Sequence, residues 1–149
     1  MDASAKRDLV DLEGVVGEQI ERVLPRMEER GIEIEKMVEK GEFHSDPVLF
    51  RAILQNLLDN AVAYSPKESV IQLRVGPDYL EVENETTDLE AGDLSQLFAR
   101  FWRKSQSRSE KGHSGLGLSV VRASVEHLGG FCRAELNGSR LLVGVRWVS

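Results

Sequence analysis

A single cysteine, Cys132, stands in 149 residues. An internal disulfide and a cysteine-built zinc cluster are both excluded, and a reducing, cytoplasmic setting fits. The cysteine's place in an alternating apolar pattern makes it a small core residue. Basic residues are also in deficit. Lys and Arg number 19 against 25 Asp and Glu, a net charge of -6, which argues against nucleic acid or an anionic membrane as a direct partner. No apolar run approaches the roughly 20 residues of a membrane span, and residues 1–11 are too polar for a signal peptide. The pattern G-x-x-x-x-G-K-S/T is missing, so this is not a P-loop protein, and no internal repeat is visible. What remains, 41% hydrophobic and 30% charged, is an ordinary globular chain of one-domain length.

The most informative stretch is residues 50–65, FRAILQNLLDNAVAYS. Phe50, Ile53, Leu54, Leu57, Leu58, Ala61 and Val62 recur at three- and four-residue intervals, the period of a helix with one broad buried face. Asp46 ahead of Pro47 supplies a capping residue and a proline suited to the first helical position. On the polar side Asn56 and Asn60 lie four apart and share a stripe, with Ala63 and Tyr64 on the next turn. Asparagine costs roughly 0.5 kcal/mol against alanine inside a helix, so two stacked amides invite a reason. They form either a solvated face or a neutral oxygen-donor face looking into a pocket.

In chain order, residues 11–30 carry apolar residues at helical spacing, with a kink or break expected near Pro25. Gly31 stops that helix, and Ile32 and Ile34 begin a short strand. Residues 41–45 read as a connection. Strands are expected over 70–75 and 79–84. They place Ile71, Leu73 and Val75 inward, then Leu80, Val82 and the polar Asn84. A short helix is expected over 94–103, a polar loop over 103–115, and a helix from about Leu118 that closes at Gly129 and Gly130. A hairpin follows, with strands over 131–136 and 140–148 and a turn at Asn137 and Gly138. Helices with mostly antiparallel strands predict a two-layer α/β sandwich, an α+β fold whose helices pack on one face of a mixed sheet.

Glycines 112, 115 and 117 precede the helix near Leu118, where unpaired backbone amides bear partial positive charge and small residues let a phosphate approach. The preceding loop holds Arg103, Lys104, Arg108 and Lys111 against Glu110, a local charge of +3 in an acidic chain. A cationic loop feeding a glycine-rich helix start suits a polyphosphate. The stretch does not follow a predicted strand, which removes the dinucleotide-fingerprint reading.

In order and spacing, NLLDNA with Tyr64 and Ser65, then LFARFWR, then GHSGLGLSVV resemble the nucleotide-binding boxes of sensor histidine kinases. The resemblance runs from about Asp11 to Val148 and covers the catalytic ATP-binding domain. It implies the Bergerat ATP-binding fold shared with gyrase, Hsp90 and MutL, with ATP and magnesium as cofactors. Carried over position by position, Asn60 resembles the magnesium ligand and Asn56 lines the phosphate side. Tyr64 flanks adenine, and Arg103 contacts phosphate. Ser114, Gly115, Leu116 and Gly117 bring lid amides to the triphosphate, beside the cationic Lys111. Hydrolysing relatives place a glutamate base at the turn of Asn56, where an amide cannot act as a base. The resemblance thus implies phosphoryl transfer, with Asn56 and Arg103 in the catalytic set.

Two positions depart from the family pattern. The first glycine box, an aspartate followed by alternating glycines, reads Asn84, Glu85, Thr86 and Thr87. Asn84 keeps a side-chain oxygen for the adenine amino group. Ala63 stands where many relatives carry a basic residue. None of His44, His113 and His127 matches the family's phosphoacceptor. That histidine is expected on a separate dimerising hairpin, with a response regulator acting downstream and any dimer forming through the hairpin. Residues 1–10 read as a linker or the tail of that hairpin, and 11–149 as the catalytic domain. Two alternatives share the fold: a degenerate docking or nucleotide-sensing module, and a serine kinase of the anti-sigma-factor type.

Overall fold

The 3.6-residue pattern at the centre of the chain becomes a helix with one broad buried face in the computed structural model, which describes residues 8–40, 42–87, 89–99 and 117–147. This helix, α2, spans Pro47–Tyr64. The Asp46 side chain caps it by accepting from the amides of Val48 and Leu49 at 2.9 and 3.1 Å. Its residues Phe50, Ile53, Leu54, Leu57, Leu58, Ala61 and Val62 are all buried. Each larger one contributes about 2 kcal/mol of transfer free energy. The Phe50 ring meets Trp147 edge-on at 5.8 Å, and the Trp147 indole donates to the Pro77 carbonyl at 3.0 Å. The first turn of α2 is thereby tied to the far end of the chain.

Before α2 come β1 (Asp8–Asp11), α1 (Leu12–Arg30), β2 (Glu33–Val38) and β3 (Glu42–Ser45); after it come β4 (Val70–Gly76), β5 (Tyr79–Glu85), a 3-10 turn (Ala91–Gln96), α3 (Gly117–His127), β6 (Phe131–Asn137) and β7 (Arg140–Arg146). The main sheet has the order β2-β4-β5-β7-β6, with β2 and β4 parallel and the remaining pairs antiparallel. Ile71, Leu73, Val75, Leu80, Val82, Leu141, Val143 and Val145 point into one buried layer, and α2 packs across β5 and between α1 and α3. The other face is charged. Arg74 reaches Glu81 and Glu83, Arg133 reaches Glu81 and Glu135, and Arg140 reaches Glu83 and Glu85. This is the expected two-layer α/β sandwich, helices on one face of a mixed sheet.

Five local expectations change. The connection at 41–45 contains β3, which pairs antiparallel with β1 from Asp8↔Ser45 to Asp11↔Glu42; ordered pairing thus begins three residues ahead of the boundary at 11. Helix α1 runs through Pro25 without a break. Pro25 and Glu21 are both exposed, so the Glu21 carbonyl that loses its amide partner faces water. The strand begun at Ile32 continues to Val38 along β4. The short helix expected over 94–103 is instead a 3-10 turn starting at Ala91, because Glu90 and Asp93 form a reciprocal capping box three residues earlier; residues 100–103 lie outside the described residues. In the last hairpin Asn137 pairs with Arg140, so Gly138 and Ser139 form the two-residue loop. Positive φ at Gly138 alone is the pattern of a type II′ turn.

Candidate functional site

Three edges of α2 have different neighbours, and the site lies on the one that meets α3. The side chain of Asn56 is half-buried, and its amide nitrogen donates to the Ala52 carbonyl at 2.7 Å. That bond turns Oδ1 outward from the helix. A Cβ placed on Gly117 would lie 3.5 Å from this oxygen, so the first residue of α3 sits directly against Asn56. A helix start carries partial positive charge. Here it stands beside a neutral oxygen donor on α2. One turn further along, Asn60 is half-buried, and Tyr64 ends the helix half-buried as well.

Asn84 is buried to 2% exposure on the inward register of β5, in the layer that α2 covers. Its Nδ2 donates to the Glu85 carbonyl at 2.8 Å, which leaves Oδ1 as the accepting atom. Thr86 is buried too, and its amide donates to the Ser139 carbonyl at 2.7 Å. The strand that carries Asn84 is therefore anchored to the final hairpin. Ala63 is buried on α2, where a long basic side chain would need another direction to reach solvent.

Asn56, Asn60, Tyr64, Asn84 and Gly117 thus fall on α2, β5 and the start of α3, three elements in mutual contact or packed through α2. The remaining expected site residues, Arg103, Lys111, Ser114, Gly115 and Leu116, lie outside the described residues. The displaced pKa values lie away from this edge. A hydrogen bond from Arg140, with a second from Arg74, holds the Glu83 carboxyl below the ordinary range despite its burial. The Glu39 carboxylate pushes the Tyr79 phenol up, and burial pushes the Cys132 thiol up.

The donor set fits a magnesium–triphosphate group in its chemistry. Among the described residues no cluster of three or more His, Cys, Asp or Glu forms a metal cage. Magnesium bound through phosphates and water needs few protein oxygens, and an amide oxygen such as that of Asn60 would be one of the right kind. Sequence reasoning missed the residues that hold the neighbouring, α1-facing edge of α2 in place. Arg22 and Arg26 of α1 both reach Asp59 at 3.0 Å, and Arg30 donates to the carbonyls of Val62 and Ser65. The arginines stand at four-residue spacing on α1, but the sequence does not show which residues of α2 they meet.

Residues 45–146 match the family model described as histidine kinase-, DNA gyrase B-, and HSP90-like ATPase. Sensor histidine kinase CusS of Escherichia coli K12 is 34% identical over 125 residues, which are 80% of this chain and 26% of CusS. The chain therefore spans only that fraction of this relative's length. Among solved structures, the catalytic domain of histidine kinase ThkA superposes with a TM-score of 0.80 at 16% identity, over 94% of this chain and 93% of that one. The mycobacterial sensor histidine kinase MprB gives 0.74 at 24% identity, over 93% of this chain and 95% of that one. Both likenesses speak to the fold.

Proposed function

Because the chain belongs to the histidine kinase-, DNA gyrase B-, and HSP90-like ATPase family, we propose that it binds Mg-ATP and presents the γ-phosphate to a histidine on a separate phosphoacceptor domain. It is the catalytic module of a histidine kinase, feeding a response regulator through that histidine. Asn60 supplies the protein oxygen to magnesium, and Asn84 Oδ1 accepts from the adenine amino group. Tyr64 flanks the base. The start of α3 at Gly117, with Lys111, Ser114, Gly115 and Leu116, brings amides and charge to the phosphates. Arg103 contacts the transferring group. Magnesium bound here neutralises phosphate charge.

The observation that carries the reading is Asn56. Its nitrogen is committed to the Ala52 carbonyl and its oxygen faces the start of α3. An amide at that turn cannot take a proton from water. Positioning and charge neutralisation are then what the site offers, which suits transfer to an incoming nucleophile. The full protein is read as a sensor with this domain on the cytoplasmic side. Among the described residues no helix is long and apolar enough to cross a membrane.

Calorimetry with ATP and ADP, with and without magnesium, on this chain and on Asn60→Ala tests the reading. Micromolar, magnesium-dependent binding that Asn60→Ala weakens is expected. Phosphohistidine should then appear on an added histidine hairpin, and not on this chain alone. A second reading draws on buried Thr86, which stands where glycines would leave space: a docking module of the same fold without nucleotide turnover. Absence of binding in every condition selects it.

A further inference from the structure

The polar contacts between α1 and α2 repeat with one sequence offset. Arg51 bonds Glu18 at 2.9 Å, Arg22 donates to the Gln55 carbonyl at 3.3 Å, Arg26 meets Asp59 at 3.0 Å and Arg30 reaches the Ala63 carbonyl at 3.5 Å; each pair is 33 residues apart. A constant offset means that the two helices run parallel and in register. The rungs on α1 are 18, 22, 26 and 30, and those on α2 are 51, 55, 59 and 63. Arg22 is braced in turn, its Nε donating to buried Gln19 at 2.8 Å.

On α2 each of the middle rungs immediately precedes a site residue. Gln55 precedes Asn56, and Asp59 precedes Asn60. Adjacent residues point about 100° apart around a helix, so the α1 edge and the nucleotide edge are fixed to one another. Rotating α2 by about 20° would move a side-chain amide roughly 6 Å from the axis by about 2 Å. Metal and hydrogen-bond distances tolerate only a few tenths of an ångström (~0.2 Å). The apolar face fixes the coarse seat of the helix through close packing. Directional polar contacts on the outer edge add a finer constraint on its rotation.

We propose that Arg22, Arg26 and Arg30 are positioning residues for the nucleotide site, holding the rotation and the C-terminal end of α2. The inference rests on the nucleotide reading above. The ladder divides the task by position. Arg22 and Arg26 converge on Asp59, beside Asn60, and govern its aim at magnesium. Arg30 gathers the carbonyls of Val62, Ala63 and Ser65 around Tyr64, and governs the adenine end. These carbonyls include the orphan acceptors at the end of a helix, and the planar guanidinium can serve several at once.

The test compares Arg22→Met/Arg26→Met and Arg30→Met with the parent chain. Methionine keeps an apolar stem at positions that are partly exposed, so folding is retained. The first readout is the side-chain amide resonances of Asn56 and Asn60 in nucleotide-free protein. The second is the factor by which magnesium tightens ATP binding. The double variant should displace the Asn60 resonances and cut the magnesium factor about fivefold, while magnesium-free ADP affinity stays within about twofold. Arg30→Met should do the reverse, weakening magnesium-free ADP binding about fivefold. Arg26→Lys on the Arg22→Met background should recover part of the magnesium factor, because it restores a cation to Asp59. Variants that melt earlier yet leave the Asn resonances and the magnesium factor unchanged overturn the proposal, since that is the outcome of a merely structural contact. If the parent chain binds no nucleotide, the kinase reading falls by itself. The resonances then decide for the ladder when displaced and against it when unmoved.

Discussion

Asn84→Asp should weaken this protein, although aspartate is the residue the sensor-kinase resemblance leads one to expect there. The reason lies in one bond. Nδ2 of Asn84 donates to the Glu85 carbonyl at 2.8 Å, and the side chain is buried to 2% exposure. Replacing that nitrogen by oxygen removes a hydrogen bond worth about 1 kcal/mol. It also sets a carboxylate against a carbonyl oxygen in a site with little water. The introduced carboxyl escapes by holding a proton, so its folded-state pKa rises above the unfolded value of about 3.9. Each tenfold displacement of that equilibrium costs about 1.4 kcal/mol once the solution pH exceeds the folded pKa. Together these give a loss of about 3 kcal/mol at pH 8, or a melting temperature lower by roughly 10 °C for a domain of this size. The sign of the pH dependence follows. A raised folded pKa leaves the penalty small near pH 4, and stability is lost as pH rises through the folded value. Urea unfolding of parent and variant at pH 4.5, 6 and 8 checks this, with midpoints that should draw apart as pH rises. Equal midpoints at pH 8 with an unchanged denaturant slope would refute the reasoning. They would mean that the strand already accommodates a carboxylate and that the Glu85 contact contributes nothing.

Four further substitutions test other parts of the argument. A Cβ on Gly130 would lie 2.0 Å from the Arg146 carbonyl oxygen and 2.8 Å from Trp147 Cα; because the obstacle is backbone rather than a side chain that can swing away, Gly130→Ala should cost about 3 kcal/mol or more in urea unfolding. Gly129→Ala, with open space but φ of 82°, should cost only about 1 kcal/mol. Asp46→Ala removes the acceptor for two α2 amides and should cost about 1 kcal/mol, seen as a lower urea midpoint with an unchanged slope. Glu83, held low by Arg140 and then Arg74, contributes stability present above an unfolded carboxylate pKa of about 4.3 and lost as pH falls through its folded value. Glu83→Gln should therefore be less stable by about 1 kcal/mol at pH 7, and the gap should narrow on acidification as the carboxylate takes up its proton.

How much of this was legible in the chain depended on whether the structural signal was local. α2, α3, β4 and β5 follow from periodicity, because their buried faces repeat within each element. β1 and β3 were invisible for the opposite reason. Each has four residues, and their strand character arises from pairing Asp8–Asp11 with Glu42–Ser45 across an intervening helix and strand. The last hairpin is an intermediate case. Its loop is one residue later than the Asn-Gly pair suggests, yet Leu141, Val143, Val145 and Trp147 are all buried as expected. The core contacts set the register, and the turn conforms to it with Gly138 at positive φ. That Asn56 and Asn60 share one edge of α2 was legible because they lie four residues apart on a helical stripe. The arginine ladder was not, since its meaning needs the partner helix.

That ladder also resolves what a pair of asparagines four residues apart means. On sequence alone Asn56 and Asn60 suit a solvated face as well as a pocket. Around α2, the residues from Phe50 to Val62 that repeat at helical spacing are taken by the core. Arg51, Gln55 and Asp59 make their polar contacts with α1. The edge left over is the one bearing Asn56 and Asn60, and it is covered in part by the start of α3 at Gly117. Both asparagines are half-buried there, so water solvates them only in part. A helix held on its core and α1 edges has one edge whose polar groups are neither core nor fully solvated. Amide oxygens beside a helix start are neutral acceptors next to partial positive charge. An anion carrying its own hard cation would satisfy both at once, and that is what the proposed Mg-ATP would bring to this edge.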